Sequence, residues 1–348
     1  MRRARLGAIA LVSSLGCVVS LGCEKTPESK PEPVVASTSS ATAASVGSLG
    51  ISKPAPERLV AIGDLHGDLD AARRALRLAG AIDANDAWIG GKLVVVQTGD
   101  LLDRGDDDRK ILDLTERLKK EAKAAGGELV AMNGNHEIMN AQADFRYVTP
   151  GGFSAFSDIP SRSDDAVTGK PTDPTSRGRV NAFAPGGTYA KILAERPEIA
   201  RVGDSIFVHG GVLPKHVRAG LDMINTQTRE WLLGERRKLP KEIEAEDGPL
   251  WTRMYSAAPG KEECATLNET LTLLNAKRMV MGHTPQKPGI APACDGKAWR
   301  IDTGMSKFYE GKVEVLEIKG DAVTVLKDGD AKPADAGPPA PRASASAR

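Results

Sequence analysis

Net charge is nearly absent from this chain of 348 residues: 47 Lys and Arg stand against 46 Asp and Glu, leaving +1 at pH 7. So even a balance gives no footprint for nucleic acid, which calls for a basic face or stripe. The short run "ERRKL", Glu235 to Leu239, reads as a solvated helix end. Aromatic residues make up only 4%, and Trp88, Trp231 and Trp299 read as core or edge packing rather than recognition. Cysteine is scarce too. Cys17 and Cys23 lie in an N-terminal apolar run, and Cys264 and Cys294 stand outside the polar motifs described below. Those motifs therefore hold no thiolate, which disfavours a structural zinc site. No internal repeat is visible.

The start, "MRRARLGAIALVSSLGCVVSLGC", has three arginines and then an apolar, small-residue run that stops at Cys23, before polar "EKTPESKPEP". This pattern is that of an export signal. The run is about 17 residues, near the lower limit for a spanning helix, so an uncleaved anchor is the alternative. Its end, "SLGC", resembles the lipobox of bacterial lipoproteins, with Ser20 where Leu is usual. Cys17 is the weaker site because apolar residues follow it. Losing residues 1–23, which hold Arg2, Arg3 and Arg5 and no acidic residue, would take the charge to −2.

Residues 24–55 are rich in Pro, Ser, Thr and Ala and contain no aromatic residue. They cannot bury enough surface to offset the entropy of ordering, so they read as a tether. Residues 329–348 read as a disordered tail for the same reason. Between them, residues 56–328 are long enough for one large domain.

Within that domain, apolar runs at Leu59 to Ile62, Leu93 to Val96, Leu129 to Met132, Ile206 to Val208 and Met279 to Met281 alternate with helix-like segments at 68–79, 107–125 and 214–233. The alternation predicts an α/β sheet. Two period-2 runs around Lys319-Gly320-Asp321 predict a terminal hairpin, which makes the sheet mixed. Residues 140–204 carry no ligand motif and much Gly, Pro, Ser and Asp. They read as a long ordered excursion, either a surface insertion or a substrate-shaping lid.

Each of the five apolar runs ends in a polar residue suited to a metal. "IGDLHGDLD" delivers Asp64 and His66, "VVVQTGDLLDRG" Asp100, "LVAMNGNHE" Asn135, "SIFVHGG" His209 and "RMVMGHT" His283. A capping role for Asp64 would explain the first stretch alone, but not its recurrence at five strand ends. Four of the five histidines fall in these motifs. The fifth, His216 in "LPKHVRAG", reads as a surface or helix residue. Asp, His and Asn suit two hard or borderline divalent ions, and strand carboxyl ends converge on one crevice. A carboxylate shared by two ions would lower the pKa of a water between them, as attack on a phosphate ester requires.

At this point "GDLHG", "GDLLDRG", "GNHE", "HGG" and "GHT", in order from Gly63 to Thr284, resemble the phosphoprotein phosphatases of the calcineurin-like metallophosphoesterase superfamily. "FAPGGTYA", "PLWTRMYS" and "WRIDTGMSKFYEG" resemble its bacterial Shewanella-like branch. The resemblance implies a four-layer α/β/β/α sandwich with mixed sheets. It assigns Asp64, His66 and Asp100 to one divalent ion and Asp100, Asn135, His209 and His283 to the other, the ions being Mn, Fe or Zn, with Mn the expected activator in vitro. It makes His136 the general acid, Asp103 its orienting partner, and Arg104 and Arg253 the phosphate holders, with a metal-bridging hydroxide attacking phosphorus in line. The substrate would be a phosphorylated protein (phosphotyrosine or phosphoserine/threonine) or a small phosphoester, and membrane contact would come only through an N-terminal lipid anchor. A dinucleoside polyphosphate hydrolase shares most of these motifs, but "GNHE" and the "VLP" after "HGG" lean to a phosphatase. A tethered binding lipoprotein without turnover is disfavoured, since no ligand is missing. Export to an oxidising compartment further predicts a Cys264–Cys294 disulfide.

Overall fold

The computed structural model describes residues 52–160 and 174–329. The expected signal, the lipidation site, most of the tether, residues 161–173 of the excursion and the tail after Gly329 lie outside the described residues.

Two mixed sheets form the centre. One has five strands in the order β11-β10-β2-β3-β4: β2 Leu59–Ile62, β3 Val94–Gln97 and β4 Glu128–Ala131 run parallel, β10 Glu314–Lys319 pairs antiparallel to β2, and β11 Ala322–Lys327 closes the edge. The other has six, in the order β1-β5-β6-β7-β9-β8, from β1 Ser52–Lys53, β5 Ile199–Val202, β6 Ser205–Val208, β7 Arg278–Met281, β8 Ala291–Ala293 and β9 Ala298–Arg300. In it β6, β7 and β9 are parallel.

Side chains alternate between two apolar clusters, as the period of two requires. Leu59, Ala61, Val96, Val130, Phe207, Val280 and Leu316 pack together with residues of both sheets. Val60, Ile62, Val95, Leu129, Ile206, Val208, Met279 and Met281 belong instead to the cluster shared with the helices. Both faces of the parallel strands are thus buried, which is why they read as unbroken apolar runs. The layers are those the resemblance implies.

Helices α1 Leu69–Leu78 and α2 Asp108–Ala124 fall where the periodicity predicts. Asp68, not Asp64, caps α1 by accepting the amide of Ala71, which leaves Asp64 for other partners. The single helix expected over 214–233 is two, α7 Pro214–Ala219 and α8 Leu221–Leu233, because Gly220 takes φ +96° between them. His216 lies on α7, the helix placement of its two expected ones, but not at the surface. It is buried, and its Nδ1 accepts the amide of Leu213 at the start of α7, with burial and Lys215 pushing its pKa down to about 4. The terminal hairpin pairs Lys319 with Ala322 around Gly320 and Asp321, as predicted.

A disulfide joins Cys264 on α10, Lys261–Leu274, to Cys294 beside β8, with Cα atoms 5.2 Å apart. Closing a loop of separation 30 is worth about 3 to 4 kcal/mol in the chain-entropy model. Reduction of the folded domain should lower its melting temperature and denaturant midpoint accordingly. Unchanged transitions with and without reductant would show that the bridge contributes nothing.

The seam behind β4 is polar. Asn133 Nδ2 donates to the carbonyls of Leu193 and Arg196 and to Glu198 Oε1, and its amide donates to the carbonyl of Pro197. Burial pushes the Glu198 carboxyl up to about 8. The native state therefore holds this proton more tightly than the unfolded chain does. The resulting stability is fully present below the ordinary Glu pKa and is lost as pH rises through about 8. Glu198→Gln should match the parent at pH 4 and exceed it by a few kcal/mol, order of magnitude, at pH 9. Parallel stability curves across that range would contradict this.

Candidate metal centre

The parallel strands β2, β3, β4, β6, β7 and β9 all deliver polar residues from their carboxyl ends into one crevice, as open α/β geometry requires. All six residues expected to ligate metals, Asp64, His66, Asp100, Asn135, His209 and His283, are buried there. The loops that carry them are bent tightly. His66, Asp100, Asp103, Arg104 and His283 have φ between +44° and +70°, a left-handed region that costs each non-glycine residue about 1–3 kcal/mol. Two glycines make room: a Cβ on Gly134 would lie 2.2 Å from Asp100 Oδ1, and one on Gly282 2.2 Å from Asp64 Oδ1.

Hydrogen bonds outside the crevice fix each histidine tautomer. His66 Nδ1 donates to the carbonyl of Leu102 (3.1 Å), His209 Nδ1 to that of Thr98 (3.0 Å), and His283 Nε2 to that of Trp251 (3.0 Å). The remaining nitrogens carry lone pairs and point inward. His209 Nε2 lies 2.9 Å from Asn135 Oδ1, 3.2 Å from Asp100 Oδ2 and 3.2 Å from His283 Nδ1. With the tautomers set by the outer hydrogen bonds, four electron-pair donors converge here, and a cation among them would relieve their mutual repulsion. Asp100 also belongs to a second group with His66 and His136, the Nε2 of His66 lying 3.7 Å from Asp100 Oδ2, while the expected ligand Asp64 stands just outside that group with its Oδ2 4.0 Å from the same nitrogen.

Electrostatics point the same way. Burial, then Asp302 and Asp100, raises the Asp64 carboxyl well above its usual range, while Asp302, buried beside it, is pushed up to about 6 chiefly by burial. Among the described residues, Asp302 Oδ2 has no hydrogen-bond partner. A divalent cation would compensate this concentration of buried negative charge. The donor set, oxygen and imidazole without thiolate, fits two divalent ions.

The other predicted residues gather at the same place. His136 Nδ1 is 2.6 Å from Asp103 Oδ2, and its Nε2 is 3.8 Å from Asp100 Oδ2. Burial lowers the His136 pKa, but Asp100 and Asp103 raise it more, leaving it above the ordinary histidine value. The guanidinium of Arg104 lies over the rings of Tyr147, Phe308 and Tyr309 at 4.4, 5.0 and 5.1 Å. Exposed Arg253 donates from Nη1 to the His283 carbonyl and Thr284 Oγ1.

Several residues of the site escape sequence reasoning. Asp302 follows β9 and Ile301, a strand-end placement like the other five, so its signal was present in "WRIDTG". Glu137 accepts the amides of Asp100, Leu101 and Gly134 and so fixes the Asp100 loop to α3, Asn135–Ala141. Tyr147 and Arg179 come from the excursion and have no local signal.

A family model for calcineurin-like phosphoesterases matches residues 57–287, and the chain belongs to this family of metal-dependent phosphoester hydrolases. Shewanella-like protein phosphatase 2 of Arabidopsis thaliana is 44% identical over 298 residues, 77% of this chain and 76% of that protein. Shewanella-like protein phosphatase 1 of Plasmodium berghei is 32% identical, over 72% of this chain and 68% of that protein. Among solved structures, a cold-active protein-tyrosine phosphatase of a psychrophilic Shewanella species shares the fold with a TM-score of 0.63 at 23% identity, over 79% of this chain and 82% of that one.

Proposed function

We propose that the protein is a dinuclear-metal phosphomonoesterase acting on phosphorylated protein, with a preference for phosphotyrosine. The observation that carries this reading is the buried cluster in which Asp100 is shared by two groups of metal-type donors. Asp64, His66 and Asp100 would hold one ion, and Asp100, Asn135, His209 and His283 the other. Two divalent ions bound there supply an activated water and neutralise charge on the phosphate. Arg104 and Arg253 hold the phosphate oxygens from the open side of the crevice. His136 delivers the Nε2 proton to the leaving oxygen while Asp103 steadies Nδ1.

The preference for an aryl ester rests on the mouth of the site. Phe308 is 57% exposed and Tyr147 38%, and with Tyr309 they surround Arg104, so a phenol leaving from a phosphate on Arg104 would stack on an aromatic wall. The soluble domain, assayed with manganese and after chelation, should hydrolyse a phosphotyrosine peptide in a metal-dependent manner, a phosphoserine peptide more slowly, and diadenosine tetraphosphate least. Faster turnover of diadenosine tetraphosphate than of either peptide would contradict the proposal. Export and lipidation at Cys23 complete it, supported by the Cys264–Cys294 disulfide, which persists in oxidising compartments. Mass spectrometry of the native protein finding an unmodified chain that begins at Met1 would refute that part.

A further inference from the structure

Arg179 sits on α5, Arg177–Phe183, within the excursion, yet it is completely buried. A buried guanidinium is costly unless its donors find partners. Here Nε donates to Asn140 Oδ1 (2.7 Å), Nη1 to the carbonyl of Gly152 (2.8 Å), and Nη2 to both Asp103 Oδ1 (3.0 Å) and Asp108 Oδ2 (2.6 Å). The rings of Phe156 and Phe183 lie 5.2 and 5.1 Å from it.

These bonds divide the two oxygens of Asp103. Oδ1 is taken by Arg179 and by Asn140 Nδ2 (2.9 Å), leaving Oδ2 to accept from His136 Nδ1 at 2.6 Å. Asp108, the other carboxylate on Arg179, accepts the main-chain amide of Asp103 at 3.0 Å and so holds a residue whose φ is +70°. Through Gly152 the same guanidinium ties down α4, Pro150–Ser154, just after Tyr147, whose ring packs 5.1 Å from that of His136.

We propose that Arg179 is the positioning residue for proton delivery: its planar fork fixes the Asp103 carboxylate so that Oδ2 aims His136 at the leaving group, and it latches the Tyr147 segment over the pair. Lysine, a point charge on a flexible stem, reproduces the charge but not the fork. The proposal rests on His136 acting as the general acid.

The test compares Arg179→Lys, His136→Asn and the double variant on a phosphoserine peptide, a phosphotyrosine peptide and nitrophenyl phosphate in single turnover, with metal content measured throughout. Arg179→Lys should lose about 10- to 100-fold on phosphoserine and less on each better leaving group, with two ions retained. In the His136→Asn background the same change should cost less than about twofold, because residues acting as one unit are not additive. Asn140→Ala removes the second donor to Oδ1 and the acceptor of Arg179 Nε while keeping the ion pairs of Arg179 with Asp103 and Asp108. It should show the same grading at smaller size, and it carries the test if the lysine variant does not fold. An equal loss on all three esters, or a full loss in the His136→Asn background, would overturn the assignment and leave Arg179 a structural residue. A uniform loss in His136→Asn alone would overturn the acid role and this proposal with it, whereas graded loss there but not in the Arg179 and Asn140 variants overturns only the latter.

Discussion

Asp100→Asn should leave a folded protein that binds both metals weakly and turns over phosphoesters more than about 100-fold more slowly, beyond what losing an outer partner costs. Asparagine matches aspartate in volume and tolerates the left-handed backbone at this position, where φ is +57°. It can also still accept the His136 amide that Asp100 Oδ1 receives at 3.0 Å. What it loses is the charge at Oδ2, which faces His209, His66 and His136 at 3.2, 3.7 and 3.8 Å. Because both ligand groups include this carboxylate, both ions should loosen together. Metal analysis finding two tightly held ions in a well-folded variant would refute the shared position.

His136→Asn should behave differently. Its expected loss is about 100- to 10,000-fold where the leaving group most needs a proton. Serine departs as an alkoxide of very high pKa and tyrosine as a phenolate of pKa about 10, while a nitrophenolate is more acidic still. Phosphoserine hydrolysis should therefore slow most, phosphotyrosine less and nitrophenyl phosphate least, with both metals retained. Loss of an ion would instead make His136 a ligand, a role its place beside His66 and Asp100 makes geometrically available. Single-turnover rates on the three esters, read together with metal content, distinguish the two.

The candidate ligand positions are legible in the sequence because each is local. A strand buried on both faces reads as an apolar run, and the polar residue that ends it is a few positions away. What the sequence left open depends on pairings across long separations. That the strands divide between two sheets follows from registers such as Leu316 with Ala61 and Val208 with Met281, which no local pattern specifies. Only the family resemblance carried that expectation. Arg179 meets Asp103 across 76 residues and Asp108 across 71, so its role becomes visible only once the excursion is folded back. The burial of His216 on its helix is hidden for a related reason: it depends on the packing around α7, while "PKHVRAG" looks polar on its own. The break between α7 and α8 had a signal in Gly220, outweighed by the continuous helical pattern around it.

The central claim is that Asp100 lies between two metal sites in one crevice. Anomalous diffraction from crystals of the soluble domain grown with manganese tests it most directly. The account predicts two peaks, one beside His66 and Asp64 and one beside Asn135, His209 and His283, with Asp100 reaching both. A single peak, or peaks that Asp100 does not touch, would contradict it.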